Sequence, residues 1–226
     1  MIQLYNVSKK YSGDAAAAVK DLTLQISKGE FLYITGASGA GKTTLLRMLY
    51  AAEKPTRGQI LIDRQNISRI RSRQIPYLRR KIGVVFQDFK LLQSRTVYEN
   101  VAFALEAQGK KRYEVSKKVY QVLKEVGLEH RLQRKPLELS GGEQQRIAIA
   151  RALVVDPIIL LADEPSGNLD QTVTFEIMDL FKRANARGTT VLLATHDHSL
   201  NQRFPRRVLT LDQGALVGDQ CPLHMS

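Results

Sequence analysis

No apolar run in the chain is longer than five residues, Ile158 to Ala162 being one that reaches that length. A membrane-spanning helix needs roughly 20, so no segment reads as a span. Met1-Ile-Gln-Leu shows no signal-peptide pattern, and the expectation is a cytosolic chain unless a partner holds it at a membrane. Cysteine is almost missing: Cys221 stands alone near the C-terminus, which excludes an internal disulfide and fits a reducing compartment. Internal repeats and low-complexity segments are absent as well.

Apolar residues make up 43% of the 226, enough for one substantial α/β core with a subdomain. The net charge of +12 is uneven, because Arg64 to Lys81 holds seven cations and no acid, leaving +5 for everything else. Such a run suits nucleic acid, anionic lipid headgroups or an acidic partner surface, or is simply a solvated face. Tyr77 is its one aromatic, so the stacking platform of a single-strand binder is lacking and no specific nucleic acid is expected.

Residues 36 to 43 read Gly36-Ala37-Ser38-Gly39-Ala40-Gly41-Lys42-Thr43 and match G-x-x-x-x-G-K-[ST] at every fixed position. Glycines let several backbone N–H groups turn toward one anion, Lys42 brings a point charge to the β- and γ-phosphates, and the Thr43 hydroxyl suits Mg²⁺. Phe31 to Thr35 before it is a short β-rich run and Thr44 to Tyr50 after it a helix, whose positive dipole end aims at the phosphates. The ligand class is a nucleoside triphosphate.

Ile2 to Val7 and the alternating Leu22 to Ile26 read as strands ahead of this loop, and Ile60 to Ile62 and Ile82 to Phe86 as short strands after it. Ile158 to Ala162 and Thr190 to Thr195 read as buried strands of a parallel sheet. Val208 to Leu211 and Ala215 to Val217, joined by Asp212-Gln-Gly214, form a closing hairpin. Between Gln87 and Asp156 helical spacing takes over, with Val115, Val119, Val122 and Val126 on one face. Pro136 breaks the chain, and Gln144 to Val155 reads as the next helix, with Ile147, Ala148 and Ala152 on its apolar face. The run Ala15 to Ala18 reads as a loop or strand entry.

Leu139-Ser140-Gly141-Gly142-Glu143-Gln-Gln145 is a second helix-start anion site. With the phosphate loop, it makes the chain resemble an ATP-binding cassette (ABC) ATPase. The resemblance covers Met1 to Val217, with the motifs in order, and implies an α/β P-loop fold. That fold has a mainly parallel core (1–87 and 156–217), an N-terminal antiparallel β region, an inserted helical subdomain (88–155) and a tail (218–226). The absence of Asn-Lys-x-Asp favours ATP over GTP.

By that resemblance Ser140, Gly141 and Gly142 contact the γ-phosphate of ATP held by an opposite subunit, so a homodimer is implied. Asp163, ending the apolar strand, orients Mg²⁺ with Thr43 and Gln87, while Glu164 polarises the attacking water as general base. Gln87 is the sensing glutamine and His196 the γ-phosphate contact. Ser166 to Asp170 is the loop that crosses to the other subunit, with Ser166 where threonine is also common. Thr44 belongs to the phosphate loop, and Tyr11 stacks on adenine through its π face. His130, His198 and His224 match no motif position.

A cassette without spans implies a separate integral membrane subunit, docking near residues 88–102 at the cytoplasmic face of a bacterial inner membrane. Asp88, Leu91-Leu92 and Arg95 to Val101 there look like the ATPases of bacterial cell division. ATPases of lipoprotein-releasing or macrolide-efflux type, soluble ABC proteins acting on DNA or ribosomes, and a catalytically silent module stand as alternatives. Intact Lys42, Asp163, Glu164 and His196 speak against the last.

Overall fold

The computed structural model describes residues 1–13, 16–167, 169–197 and 199–222. Asn168 of the crossing loop, Ala15 of the alanine run, His198 and His224 lie outside them. In chain order the elements begin with β1 (Ile2–Lys9), β2 (Val19–Ile26), β3 (Phe31–Thr35), α1 (Lys42–Leu49), β4 (Arg57–Ile62), β5 (Gln65–Asn66), α2 (Ile75–Arg79) and β6 (Ile82–Val85). They continue with α3 (Val97–Glu106), α4 (Arg112–Glu125), α5 (Gly141–Leu153), β7 (Ile159–Asp163) and α6 (Gln171–Ala186). Then come β8 (Thr190–Ala194), α7 (Ser199–Arg203), β9 (Arg207–Asp212) and β10 (Ala215–Gln220). No helix among the described residues is long and apolar enough to cross a membrane.

The chain divides into two compact units, residues 1–79 with 190–226 and residues 80–189. The first holds an antiparallel sheet of order β2-β1-β4-β5 and the strands β10-β9-β3-β8, of which β9, β3 and β8 are parallel and β10 antiparallel. Every residue of β3 and β8 is buried, as the uninterrupted apolar runs demand of strands covered on both faces. β2 alternates instead, with Leu22, Leu24 and Ile26 inward and Thr23 and Gln25 outward. Tyr33, 1% exposed, donates its hydroxyl to the Phe204 carbonyl at 3.1 Å, and burial pushes its pKa up to about 12.

In the second unit β6 and β7 pair in parallel, Val85 opposite Ala162, and α3 to α6 carry buried apolar stripes. α6 fills a stretch to which our reading of the sequence assigned no element. Its stripe Thr174, Ile177, Met178, Phe181, Ala184 nevertheless recurs at helical spacing, and Gly188 ends it at φ 95°. α5 starts three residues earlier than expected, so Gly141 and Gly142 form its first turn.

Two cations of the basic run are also used within the fold: Arg79 donates to the Tyr50 and Ala51 carbonyls just beyond the α1 C-terminus, and Arg80 to the Ala107 carbonyl. One other expectation needs correction: the tail does not begin at Gly218, because β10 runs on through Gln220. The reason is Asp219, whose carboxylate takes two 2.7 Å hydrogen bonds from Arg207 across the hairpin.

Arg207 also reaches Glu30 at 2.7 Å, and its hydrogen bonds hold the Asp219 carboxyl below the usual carboxylate range. A carboxylate lowered on folding adds stability above its unfolded pKa and loses it as pH falls through the folded one. The melting-temperature gap between the wild type and Asp219→Asn is therefore expected to stay level at neutral pH and to close below about pH 4. Calorimetry across pH checks this, and a gap that widens in acid contradicts it.

Candidate active site

In the first unit the phosphate loop runs from β3 into α1. Gly36 and Gly41 have φ of 143° and 105°, a region L side chains rarely adopt. A Cβ would lie 2.2 Å from the Leu211 carbonyl oxygen at Gly36 and 2.4 Å from that of Ala18 at Gly41. The loop is thus wedged between β9 and the entry to β2. The β9–β10 turn, with Gln213 and Gly214 both left-handed, braces it further, since Gly214 N–H donates to the Ala40 carbonyl at 3.1 Å.

Lys42 is 7% exposed, and its Nζ donates to the Gly36 and Ala37 carbonyls at 2.8 and 3.1 Å, folding the cation over the loop. Ala37, Ser38, Gly39 and Thr43 are exposed, Thr44 is half-buried, and the first turn of α1 contains no acid. Exposed backbone N–H groups, a helix start without a competing carboxylate and an adjacent cation are the donor set that phosphates require. These residues fit a triphosphate, and the Thr43 hydroxyl is a hard donor of the kind that suits Mg²⁺.

Tyr11 comes to the same place, its hydroxyl 3.5 Å from Thr44 Oγ1 and its ring 4.9 Å from Lys9 Nζ. Ile34 lies opposite Ala194 in the β3–β8 pair, so the phosphate loop and the exposed His196 leave one sheet at the same carboxyl edge. Thr195 and Asp197 shape the turn there: Asp197 N–H donates to Thr195 Oγ1, and its carboxylate accepts from Ser199 at the start of α7.

In the second unit Val85 and Ala162 are partners, which puts the exposed Gln87 and the half-buried Asp163 and Glu164 at one carboxyl edge. Glu164 is left-handed at φ 48°, a strained backbone held by Gly167 N–H on its carbonyl. Ser140 caps α5 in a reciprocal box: Glu143 N–H donates to Ser140 Oγ, and Glu143 Oε2 accepts from Ser140 N–H at 2.9 Å. The Ser140 N–H, above all, holds the Glu143 carboxyl below its usual range, with Arg131 3.2 Å away. Gly142 leaves only 2.9 Å between a would-be Cβ and Val173, so the signature packs on α6 just past Asp170. Asp170 itself caps α6, accepting from Val173 N–H at 2.9 Å.

The structure thus places Tyr11, residues 36–44 and His196 in the first unit; in the second it brings Gln87, Asp163 and Glu164 to one sheet edge and sets Ser140 to Gly142 beside the start of α6 at Asp170. It also exposes three residues that sequence reasoning missed. Gln145, 1% exposed, donates from Nε2 to the Pro165 carbonyl at 2.7 Å, next to Glu164. Asn100, wholly buried, ties the chain at Leu92, Arg95 and Thr96 through four hydrogen bonds. Arg151 binds the carbonyls of Phe89 and Lys90. Gln145 closes the signature run and Asn100 falls within Arg95 to Val101, whereas for Arg151 the available signal was a charged side chain in an otherwise apolar helix.

The family model described as ABC transporter matches residues 19–167. The chain belongs to the ABC transporter family. This ABC protein is 51% identical over 220 residues to the cell division ATP-binding protein FtsE of Mycobacterium tuberculosis, covering 97% of this chain and 96% of that one. FtsE of Bacillus subtilis is 46% identical at 97% and 96% coverage, and FtsE of Escherichia coli K12 45% identical at 96% and 98%. Among solved structures, the dimeric post-hydrolysis state of the ATP-binding cassette MJ0796 bound to ADP and Pi superposes with a TM-score of 0.91. It is 38% identical and covers 98% of each chain. The α/β cassette fold expected from the motifs is therefore the fold of this ABC protein.

Proposed function

We propose that the chain is the ATP-hydrolysing subunit of a cell-division complex, acting as a homodimer on an FtsX-type membrane protein to control peptidoglycan hydrolases. The observation that supports it best is the match to FtsE proteins over 96–97% of the chain, with every catalytic position of the motifs filled. In this reading Lys42 and the loop amides hold the β- and γ-phosphates, Tyr11 stacks on the base, and His196 and Gln87 contact the γ-phosphate side. Thr43 and Asp163 carry Mg²⁺, which when bound neutralises charge on the phosphate oxygens. Glu164 takes the proton of the attacking water. Ser140, Gly141, Gly142 and Asp170 serve the nucleotide of the second copy, so that loss of the γ-phosphate frees the dimer to open.

Docking falls to residues 88–102 of the helical segment 88–155. Leu92 is 38% exposed there, and Arg95 lies 5.3 Å from the ring of the neighbouring, half-exposed Phe103, an apolar and cationic mix suited to a protein partner. Anionic headgroups are the ligand we assign to the exposed Arg64, Arg69, Arg71 and Arg73, at the cytoplasmic face of the membrane.

Phosphate release by the purified chain with Mg·ATP is expected to rise faster than linearly with protein concentration, as an obligatory dimer requires. Affinity purification of the chain from detergent-solubilised membranes of its own cells should retain a subunit with four spans and an extracytoplasmic loop. Capture of an efflux or lipoprotein permease instead overturns the cell-division reading and leaves the ATPase standing.

A further inference from the structure

Phe89 and Lys90 are consecutive left-handed residues, at φ 56° and 49°, and neither is glycine. Such a pair persists only where neighbouring structure holds it. The holding group is Arg151, in the last turn of α5, whose Nη1 donates to the Lys90 carbonyl at 2.6 Å and whose Nη2 donates to that of Phe89 at 2.7 Å. The planar fork of a guanidinium matches two adjacent carbonyls, which a lysine ammonium does not reproduce.

The same helix begins at Ser140, capped by Glu143, and midway along it Gln145 grips the Pro165 carbonyl beside Glu164. Between these ends α5 is uninterrupted for 13 residues, with Ile147, Ala148, Ile149 and Ala150 wholly buried. A rod packed in this way moves as one body. Burial, with no carboxylate partner among the described residues, also lowers the Arg151 pKa, so this cation is kept at a cost by the fold.

We infer that Arg151 is a positioning residue which makes the loop at 88–96 follow the signature helix, so that nucleotide engagement at Ser140 is transmitted to the docking loop through its two carbonyl hydrogen bonds. The inference rests on the ATPase reading and names the route by which that site is coupled to its partner. Asn100 fixes the far half of the same loop at Leu92 to Thr96, while the Phe89–Lys90 turn, closed locally on Phe86 and Asp88, is tied to α5 by Arg151.

The test is amide hydrogen exchange on the full-length chain, with and without Mg·ATPγS, in the wild type, Arg151→Met and Arg151→Lys. In the wild type, nucleotide is expected to slow exchange both in residues 36–44 and in residues 88–96. In Arg151→Met the protection at 36–44 should persist, while the nucleotide-dependent change at 88–96 disappears and exchange there runs at least about tenfold faster. Arg151→Lys, which keeps the charge and one hydrogen bond, should restore part of the response and provides the reading if the methionine variant does not fold. A response at 88–96 that is unchanged in the variants, or absent from the wild type while 36–44 is protected, overturns the inference. Absence of protection at 36–44 in the wild type sinks the ATPase reading instead.

Discussion

Glu164→Gln is expected to bind ATP normally, to accumulate as a nucleotide-bound dimer and to release phosphate about 10² to 10⁴ times more slowly than the wild type. Glutamine has the same shape, and the turn that carries position 164 depends on main-chain contacts, Gly167 N–H on the Glu164 carbonyl and Gln145 on that of Pro165. The left-handed backbone at 164 keeps these main-chain contacts, while the carboxylate that accepts the proton is lost. Single-turnover phosphate release, with size-exclusion chromatography in ATP, measures both effects. Turnover at the wild-type rate would remove Glu164 from its role as base and the hydrolytic mechanism with it.

Gly41→Ala has the second large effect, and it separates two reasons for glycine in one loop. At Gly41 the new Cβ meets the Ala18 carbonyl oxygen at 2.4 Å, on a backbone at φ 105°, whereas at Gly39 it meets nothing within 4 Å. The Ala18 backbone cannot yield cheaply, because the adjacent β2 is locked into the β1 ladder. Backbone strain of about 1–3 kcal/mol corresponds to roughly a 10- to 100-fold loss of affinity. Titration with a fluorescent ATP analogue should show that loss in Gly41→Ala and a smaller one in Gly39→Ala. A larger loss at Gly39 would mean that the close approach to Ala18 is not what selects glycine at 41.

Much of the fold was legible because the strands bear the marks of their surroundings. The runs around Ile34, Leu161 and Leu193 are apolar without interruption, as only strands covered on both faces are, and β2 alternates because one face meets water. α6 escaped notice although its stripe is regular, since it follows directly on the Asp163–Glu164 and Ser166–Asp170 motifs and no strong start signal other than Asp170 precedes it. The same aspartate illustrates how a motif hides local structure: read for a ligand, it also supplies the cap that α6 needs. β10 ran longer than expected because the pair that extends it, Arg207 with Asp219, is twelve residues apart in the chain and adjacent only across the hairpin.

The sequence by itself determined the ligand class, the reaction and the chemical role available to each motif residue. Phosphate binding needs glycines, a lysine and a hydroxyl in a fixed local order, and local order is what a sequence states directly. Tertiary structure alone decided which side chains hold those motifs in place. Tyr11 stands beside Thr44, Gly41 is closed in by Ala18, Gln145 steadies the turn after Glu164, and Arg151 fixes Phe89 and Lys90. These contacts join residues from about 20 to more than 60 positions apart, and a hydrogen bond between such residues depends on how the elements pack, which no spacing rule records.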